Sequence, residues 1–150
     1  MNPDSADFQQ LLATAARGWR RAFDAVLAEH NLSDAIATPL VTLLHLGDQI
    51  PQTLLAERIG VDASSIVRVL DALERDGLIT RLTDQRDRRV KLIQLTDAGT
   101  EAAKRVEELA TALRQKLLGT LDPEVVDTTM YALRLLSEQA LPQFFGQQSR

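Results

Sequence analysis

A mainly α chain with a small β wing is predicted by three observations. Two short helical patterns, Gln52–Ile59 and Ala63–Asp76, follow one another, and each is closed by a glycine, Gly60 and Gly77. Two runs rich in β-branched and aliphatic residues come next, Leu78–Thr83 and Val90–Thr96, joined by a loop that holds Arg86, Arg88 and Arg89. Longer helical periodicities lie on both sides of this block. Helix, turn, helix, strand, basic loop, strand is the order of a winged helix-turn-helix, and the flanking helices form a helical region suited to dimerisation. The organisation expected is an N-terminal dimerisation helix over 1–34, the winged helix-turn-helix over 35–99 and C-terminal dimerisation helices over 100–150, all in one compact intertwined domain.

Composition narrows the class. With 150 residues, 45% hydrophobic and 25% charged, the chain has the make-up of an ordinary globular domain. It holds no apolar run of the roughly 18 residues that a membrane span needs. The start, MNPDSADF, lacks the basic and apolar segments of a signal peptide, so the expected location is the cytoplasm. Cysteine is absent, which excludes disulfides, thiolate metal sites and thiol redox sensing. The net charge of −4 is unevenly spread: Arg81, Arg86, Arg88, Arg89 and Lys91 against Asp84 and Asp87 make the hairpin locally +3. A nucleic-acid reader can be acidic overall when its cations sit on the contact face. A solvated charged hairpin would show the same composition.

In chain order, Phe8 to about Leu32 carries Phe8, Leu11, Leu12, Ala15, Ala16, Trp19, Phe23, Val26 and Leu27 at the spacing of one buried helical face. Asn31-Leu32-Ser33-Asp34 breaks it and offers a new cap. A second helix is expected over Ala35–Leu46. Pro39 either opens that helix after Thr38 as cap or lies inside it and kinks it. Ile50-Pro51 forms a minimal strand or an extended connector. In Ala63–Asp76, capped by Asp62, residues Ile66, Leu70 and Leu73 share one side. Ser64, Arg68, Asp71 and Arg75 share the other, and Ser64, Ser65 and Arg68 stand near the N-terminus, where a major-groove helix reaches base edges. The first N–H groups of that helix favour a phosphate. An ordinary surface helix is also amphipathic, so the groove-reading role gains weight only from its neighbour in the chain. That neighbour is the arginine loop, whose guanidinium groups suit a minor groove or a phosphate clamp.

Thr96 caps a long helix, Asp97 to Leu118, with an apolar series Ala98, Ala102, Val106, Leu109, Leu113 and Leu117. Asp122-Pro123-Glu124 starts the last helix, which uses Val126, Met130, Leu133, Leu136 and Ala140 and is expected to stop at Pro142, before Phe144-Phe145. A winged helix of roughly 45 residues offers too little surface to cover these terminal helices, and a second subunit is the natural outlet.

The chain resembles the MarR family of bacterial transcription regulators, and within it the SlyA-like branch. The likeness is carried by Leu54-Leu55-Ala56-Glu57-Arg58-Ile59-Gly60-Val61, by Ser65 to Glu74, by Gly77-Leu78-Ile79, and by Asp87-Arg88-Arg89 followed by Leu95-Thr96-Asp97-Ala98-Gly99. Trp19-Arg20-Arg21 in the first helix is SlyA-like as well. The resemblance implies a homodimer on a pseudo-palindromic promoter site in double-stranded DNA, as a transcriptional regulator, in the first instance a repressor. It implies base or phosphate contacts from Ser64, Ser65 and Arg68, wing contacts from Arg88 and Arg89, a less defined role for Arg86, and phosphate contacts from Gln52 and Thr53. Control by a small phenolic or aromatic carboxylate, bound between dimer helices and winged helix, is a further implication. Arg17, Trp19, Arg20 and His45 are the residues that could stack on such a ligand and neutralise it, but the stronger reading of the same residues places Trp19 on the core face, the arginines at the surface or dimer interface, and His45 in a structural role.

No cofactor is implied and an enzyme is not expected: there is no phosphate-binding glycine loop, no G-x-S-x-G and no H-E-x-x-H, and the two histidines, His30 and His45, fall in different elements. A winged helix that assembles with protein instead of reading DNA is the alternative. It would have no need of Arg68 with Arg88 and Arg89. Metal sensing is disfavoured by the lack of cysteine and scarcity of histidine.

Overall fold

The computed structural model describes residues 5–145, and the side chains of 7–138. Six helices and three short strands follow in the order α1 (Ser5–Glu29), α2 (Asp34–Leu46), β1 (Ile50–Pro51), α3 (Gln52–Ile59), α4 (Ala63–Arg75), β2 (Ile79–Thr83), β3 (Lys91–Leu95), α5 (Asp97–Leu118) and α6 (Pro123–Phe145). The fold is mainly α with a small antiparallel sheet, as expected. Contacts gather into two compact units, Met1–Leu113 and Arg114–Arg150.

Three helices of the first unit end in the same hydrogen-bonded turn. In α1, Leu32 N–H reaches Leu27 O at 2.9 Å and Asn31 N–H reaches Ala28 O at 3.1 Å, with Asn31 at φ 57°. The same pair of bonds closes α3 through Val61 and Gly60, and α4 through Leu78 and Gly77. Each turn places its third residue in the left-handed region, which glycine enters without cost, at φ 81° for Gly60 and 72° for Gly77. These bonds satisfy carbonyls at each helix end, and after α1 and α4 the chain packs back against the core at once through Leu32 and Leu78, whereas Val61 after α3 stays exposed.

Pro39 lies inside α2, six positions after the cap Ser33. Of the two readings the interior one holds. Pro39 is buried beside Ala37 and Leu40, so packing offsets the loss of one ladder hydrogen bond. Thr38 Oγ1 donates to Asp34 Oδ1 at 2.7 Å and so does not serve as the cap. Ile50-Pro51 is a true strand: β1 pairs with β3 (Ile50 opposite Ile93), and β3 with β2 (Ile79 opposite Leu95, Thr83 opposite Lys91), in the order β1-β3-β2. Pro51 lies on an edge strand, where its missing N–H costs least.

The main core joins Leu40 and Leu43 of α2, Leu55 of α3, Ile66, Leu70 and Leu73 of α4, Ile79 and Ile93 of the sheet, and Ala103 of α5. A second cluster ties Leu27 of α1 and Ala37 of α2 to Val106 of α5. Burying each of the three large α4 side chains contributes roughly 1.5–3 kcal/mol, enough to fix which face of α4 looks outward.

Three sequence expectations change here. The apolar face of α1 is packed only towards its C-terminal end; Phe8, Leu11, Leu12 and Trp19 remain exposed, Leu11 at 69%. On α5 the packed face begins at Gly99 and Ala103, not at Ala98, because the helix start must pass directly over Leu78. A Cβ on Gly99 would stand 1.8 Å from Leu78 O, so only glycine permits this approach. Finally, α6 runs through Pro142 to Phe145 instead of stopping at Leu141, since a proline in the last turn removes only one ladder bond. In the second unit, Val125, Met130, Tyr131 and Leu133 of α6 are exposed. The side chains of Ala140, Phe144 and Phe145 lie outside the described ones.

Candidate nucleic-acid interface

Helix α4 is presented by its two glycine turns with Ile66, Leu70 and Leu73 inward and Ser64, Arg68 and Asp71 exposed. Ser64, Ser65 and Arg68 lie together around a shallow outer depression that Val69 also borders. Asp62 caps the helix tightly. Its Oδ1 accepts the backbone N–H groups of Ser64 at 3.0 Å and Ser65 at 2.8 Å. Ser65 Oγ donates to Oδ2 at 2.7 Å and Ser64 Oγ donates to Oδ1. The hydroxyl of Ser64, then that of Ser65, then the Ser65 N–H hold the Asp62 carboxyl well below the usual carboxylate range. Two first-turn N–H groups expected to greet a phosphate are therefore already occupied by an anion of the chain itself.

The wing is shaped by its two acids. Asp84 Oδ1 accepts Arg86 N–H at 2.7 Å and Asp87 Oδ1 accepts Arg89 N–H at 3.0 Å. These side-chain turns fold the loop, while the Arg89 side chain stays 95% exposed, with its Nε 3.9 Å from Asp87 Oδ1. Asp84 and Asp87 thus orient the arginines mainly through the backbone, less through ion pairing. Arg86 and Arg88 are exposed, and among the described residues no carboxylate pairs with Arg68, Arg86 or Arg88. Gln52 and Thr53, at the start of α3, line a small hollow of about 150 Å³ with Arg89 and Lys91. The structure thus brings the sequence candidates into two groups: Ser64, Ser65 and Arg68 on α4, and Gln52, Thr53 and Arg89 beside the wing.

Arg81 behaves differently from the other wing cations. From β2 its Nη1 reaches Asp71 at 2.7 Å and Glu74 at 3.7 Å, and its Nη2 donates to Val67 O at 3.3 Å. It braces the wing against α4 and neutralises two acids on the exposed side of that helix. Sequence reasoning counted it as one more cation; the alternation of β2 relative to Asp71 and Glu74 was the signal available.

The ligand-site candidates are split. Trp19 and Arg20 line an open cleft of about 770 Å³ with Asp34, Pro39, Val61 and the Ser65–Val69 side of α4. Arg17 and His45 are not among the residues that line it. Arg17 donates to Thr14 Oγ1 on its own helix, at 3.1 Å. His45 pairs through Nε2 with Glu107 of α5.

Residues 37–91 match the family model of the MarR family. In this segment the chain is similar to the MarR family. The matched segment runs from α2 through the wing to the first residue of β3. Solved structures extend the likeness beyond it. CouR from Rhodococcus jostii RHA1 bound to p-coumaroyl-CoA is 25% identical, with 89% of this chain and 94% of that one covered, at a TM-score of 0.74. The transcriptional repressor CouR bound to a 23-mer DNA duplex is 28% identical over 85% of this chain and 89% of that one, at 0.76. The fold is shared also with the S. aureus MepR–DNA complex, 22% identical over 87% and 97%, at 0.77. With the family-model match, these structures show a winged-helix fold shared with transcription regulators, and they do not select the SlyA-like branch. Among the described residues no helix is long and apolar enough to cross a membrane, and no cluster of three potential ligands for a metal occurs.

Proposed function

We propose that this chain is a MarR-type regulator, a cytoplasmic homodimeric repressor that binds a pseudo-palindromic promoter site and is released by a small aromatic carboxylate. The observation that carries the reading is the outer face of α4: Arg68, with no carboxylate partner among the described residues, beside Ser64 and Ser65, next to a wing loop in which Arg86, Arg88 and Arg89 are exposed. On duplex DNA the α4 side chains would meet major-groove base edges, and Arg86, Arg88 and Arg89 the neighbouring backbone or minor groove. Gln52, Thr53, Arg89 and Lys91 converge on one hollow of a size for a backbone phosphate. The similar CouR, solved on a DNA duplex, supports this placement.

Dimerisation is supported by apolar surface that a solitary chain would leave in water: Phe8, Leu11 and Leu12 on α1 and, separately, Val125, Met130 and Tyr131 on α6. Two copies would set their α4 helices into successive major grooves about 34–36 Å apart. The cleft beside Trp19 and Arg20 is the place for the ligand, with an indole to stack on and a guanidinium for the carboxylate. Its far wall is α4 itself, so occupancy would bear on the reading helix. Arg17 and His45 have no part in this version of the site. Among the similar proteins, CouR has been solved with p-coumaroyl-CoA.

The test is fluorescence anisotropy on DNA from upstream of the gene, against a scrambled duplex, with and without salicylate at constant ionic strength. Specific binding that salicylate abolishes is expected. Specific binding indifferent to salicylate would remove the ligand half of the reading. No preference for any duplex, including those from a random pool, would leave protein assembly as the function.

A further inference from the structure

The hydroxyl groups at the tip of α4 are chemically one-sided. A carboxylate accepts hydrogen bonds and cannot donate them, so wherever a serine hydroxyl meets one, the serine is the donor. Both Ser64 Oγ and Ser65 Oγ meet Asp62, one on each carboxylate oxygen. The two backbone N–H groups of the same serines also end on Asp62. With four donors on it the carboxylate stays ionised, and neither hydroxyl proton is available to a partner. What each serine still offers is its lone pairs.

We infer that Ser64 and Ser65 read DNA as acceptors only, selecting a base that presents an exocyclic amino group in the major groove: N6 of adenine or N4 of cytosine. The inference rests on the proposed placement of α4 in that groove. A free serine hydroxyl reads donors and acceptors alike, and so discriminates little. Pinned by Asp62, it turns away edges that offer only acceptors, O6 and N7 of guanine or O4 of thymine. The Asp62 charge acts in the same sense, drawing amino protons and repelling keto oxygens. One turn on, Arg68 has the opposite chemistry, being a donor without acceptor capacity, and suits guanine. The half-site should therefore pair an amino-bearing base with a neighbouring guanine edge.

The experiment begins with selection of a preferred duplex by the full-length protein from a random pool. Each adenine or cytosine of the half-site is then replaced in turn by its analogue lacking the amino group (purine, or pyrimidin-2-one). One position is expected to lose roughly three- to tenfold in affinity, the worth of a single neutral hydrogen bond. The same replacement should cost nothing in the Ser64→Ala/Ser65→Ala double variant. Asp62→Asn keeps a good helix cap but adds amide donors and frees the hydroxyl protons, so discrimination at that position should fall while helix content holds by circular dichroism. A serine-dependent position that selects thymine or guanine would overturn the inference, as would discrimination unchanged in Asp62→Asn. Either result leaves DNA reading by α4 intact. Failure to select any duplex removes that reading, and this inference with it.

Discussion

Replacing Gly99 by alanine is expected to destabilise the protein, although the residue stands in the first turn of a helix. In an open helix the change would gain up to about 1 kcal/mol, because alanine is the better helix former. Here the new Cβ would lie 1.8 Å from Leu78 O, 2.8 Å from Leu78 C and 3.2 Å from Leu95 Cδ2. Carbon–oxygen contacts settle near 3.3 Å, so the helix start must retreat by roughly 1.5 Å. The obstacle is backbone and has no rotamer to yield. Thr96 would move with it, and Thr96 holds this joint by three bonds: its N–H to Leu78 O at 3.0 Å, its Oγ1 to Gly77 O at 2.7 Å, and the Gly99 N–H received on Oγ1 at 3.0 Å. Overpacking costs about 1–3 kcal/mol, and weakening one of these bonds about 1 more. Set against the helix-propensity gain of up to about 1 kcal/mol, a net loss of about 1–3 kcal/mol should lower Tm by roughly 2–12 °C, at about 2–4 °C per kcal/mol for a chain of this size. Thermal unfolding followed at 222 nm measures it. A Tm equal to or above that of the parent protein would refute the claim that α5 is seated on Leu78.

Other perturbations separate the roles assigned to charged groups. Replacing Arg88 and Arg89 by alanine should weaken DNA binding and reduce the log–log salt slope by roughly 0.9 for each phosphate no longer neutralised, with the fold unchanged; an unaltered slope would take the wing out of the mechanism. Arg68→Ala should relax base preference at one position, at about 1–3 kcal/mol, whereas uniform weakening across sequences would make Arg68 a phosphate contact. Arg81→Met removes the brace between β2 and α4 without touching DNA, so affinity should fall while the salt slope stays constant; a slope that drops with it would place Arg81 on the backbone. The stability lost should be modest, about 1 kcal/mol, because Asp71 and Glu74 are half exposed. For Asp62 the folded-state carboxyl is held low by donors it lacks when unfolded. Its stabilisation is complete above the ordinary Asp range, near pH 3.9, and is lost as pH falls towards the folded value. Asp62→Asn should therefore flatten the acid limb of the stability curve below about pH 4; an unchanged limb would deny the cap its ionised state.

The legible parts of this molecule are those governed by local periodicity. The three-residue stripe of α4 and the glycine stops at Gly60 and Gly77 follow from 3.6-residue geometry and from φ preference, and by themselves they place Ser64, Ser65 and Arg68 outward. The wing is legible for similar reasons, as alternating runs flanking a polar loop. The hidden parts depend on partners distant in sequence. Arg81 looks like a DNA-facing cation until β2 is laid against α4, and His45 looks free until α5 brings Glu107 to it. Pro39 could be placed only by the core that buries it. The apolar stripe of α1 states correctly that a face wants covering, yet periodicity does not say by which chain; Trp19, which fits the core face by spacing, borders a cleft instead.

The most direct test of the account is anisotropy of the purified protein on a duplex selected from a random pool, titrated against its scrambled counterpart at several salt concentrations. Saturable binding is expected, preferring the selected duplex by at least about a thousandfold at physiological salt and weakening linearly on a log–log salt scale. Equal, weak affinity for both duplexes, or none, would contradict the assignment of α4 and the wing to DNA.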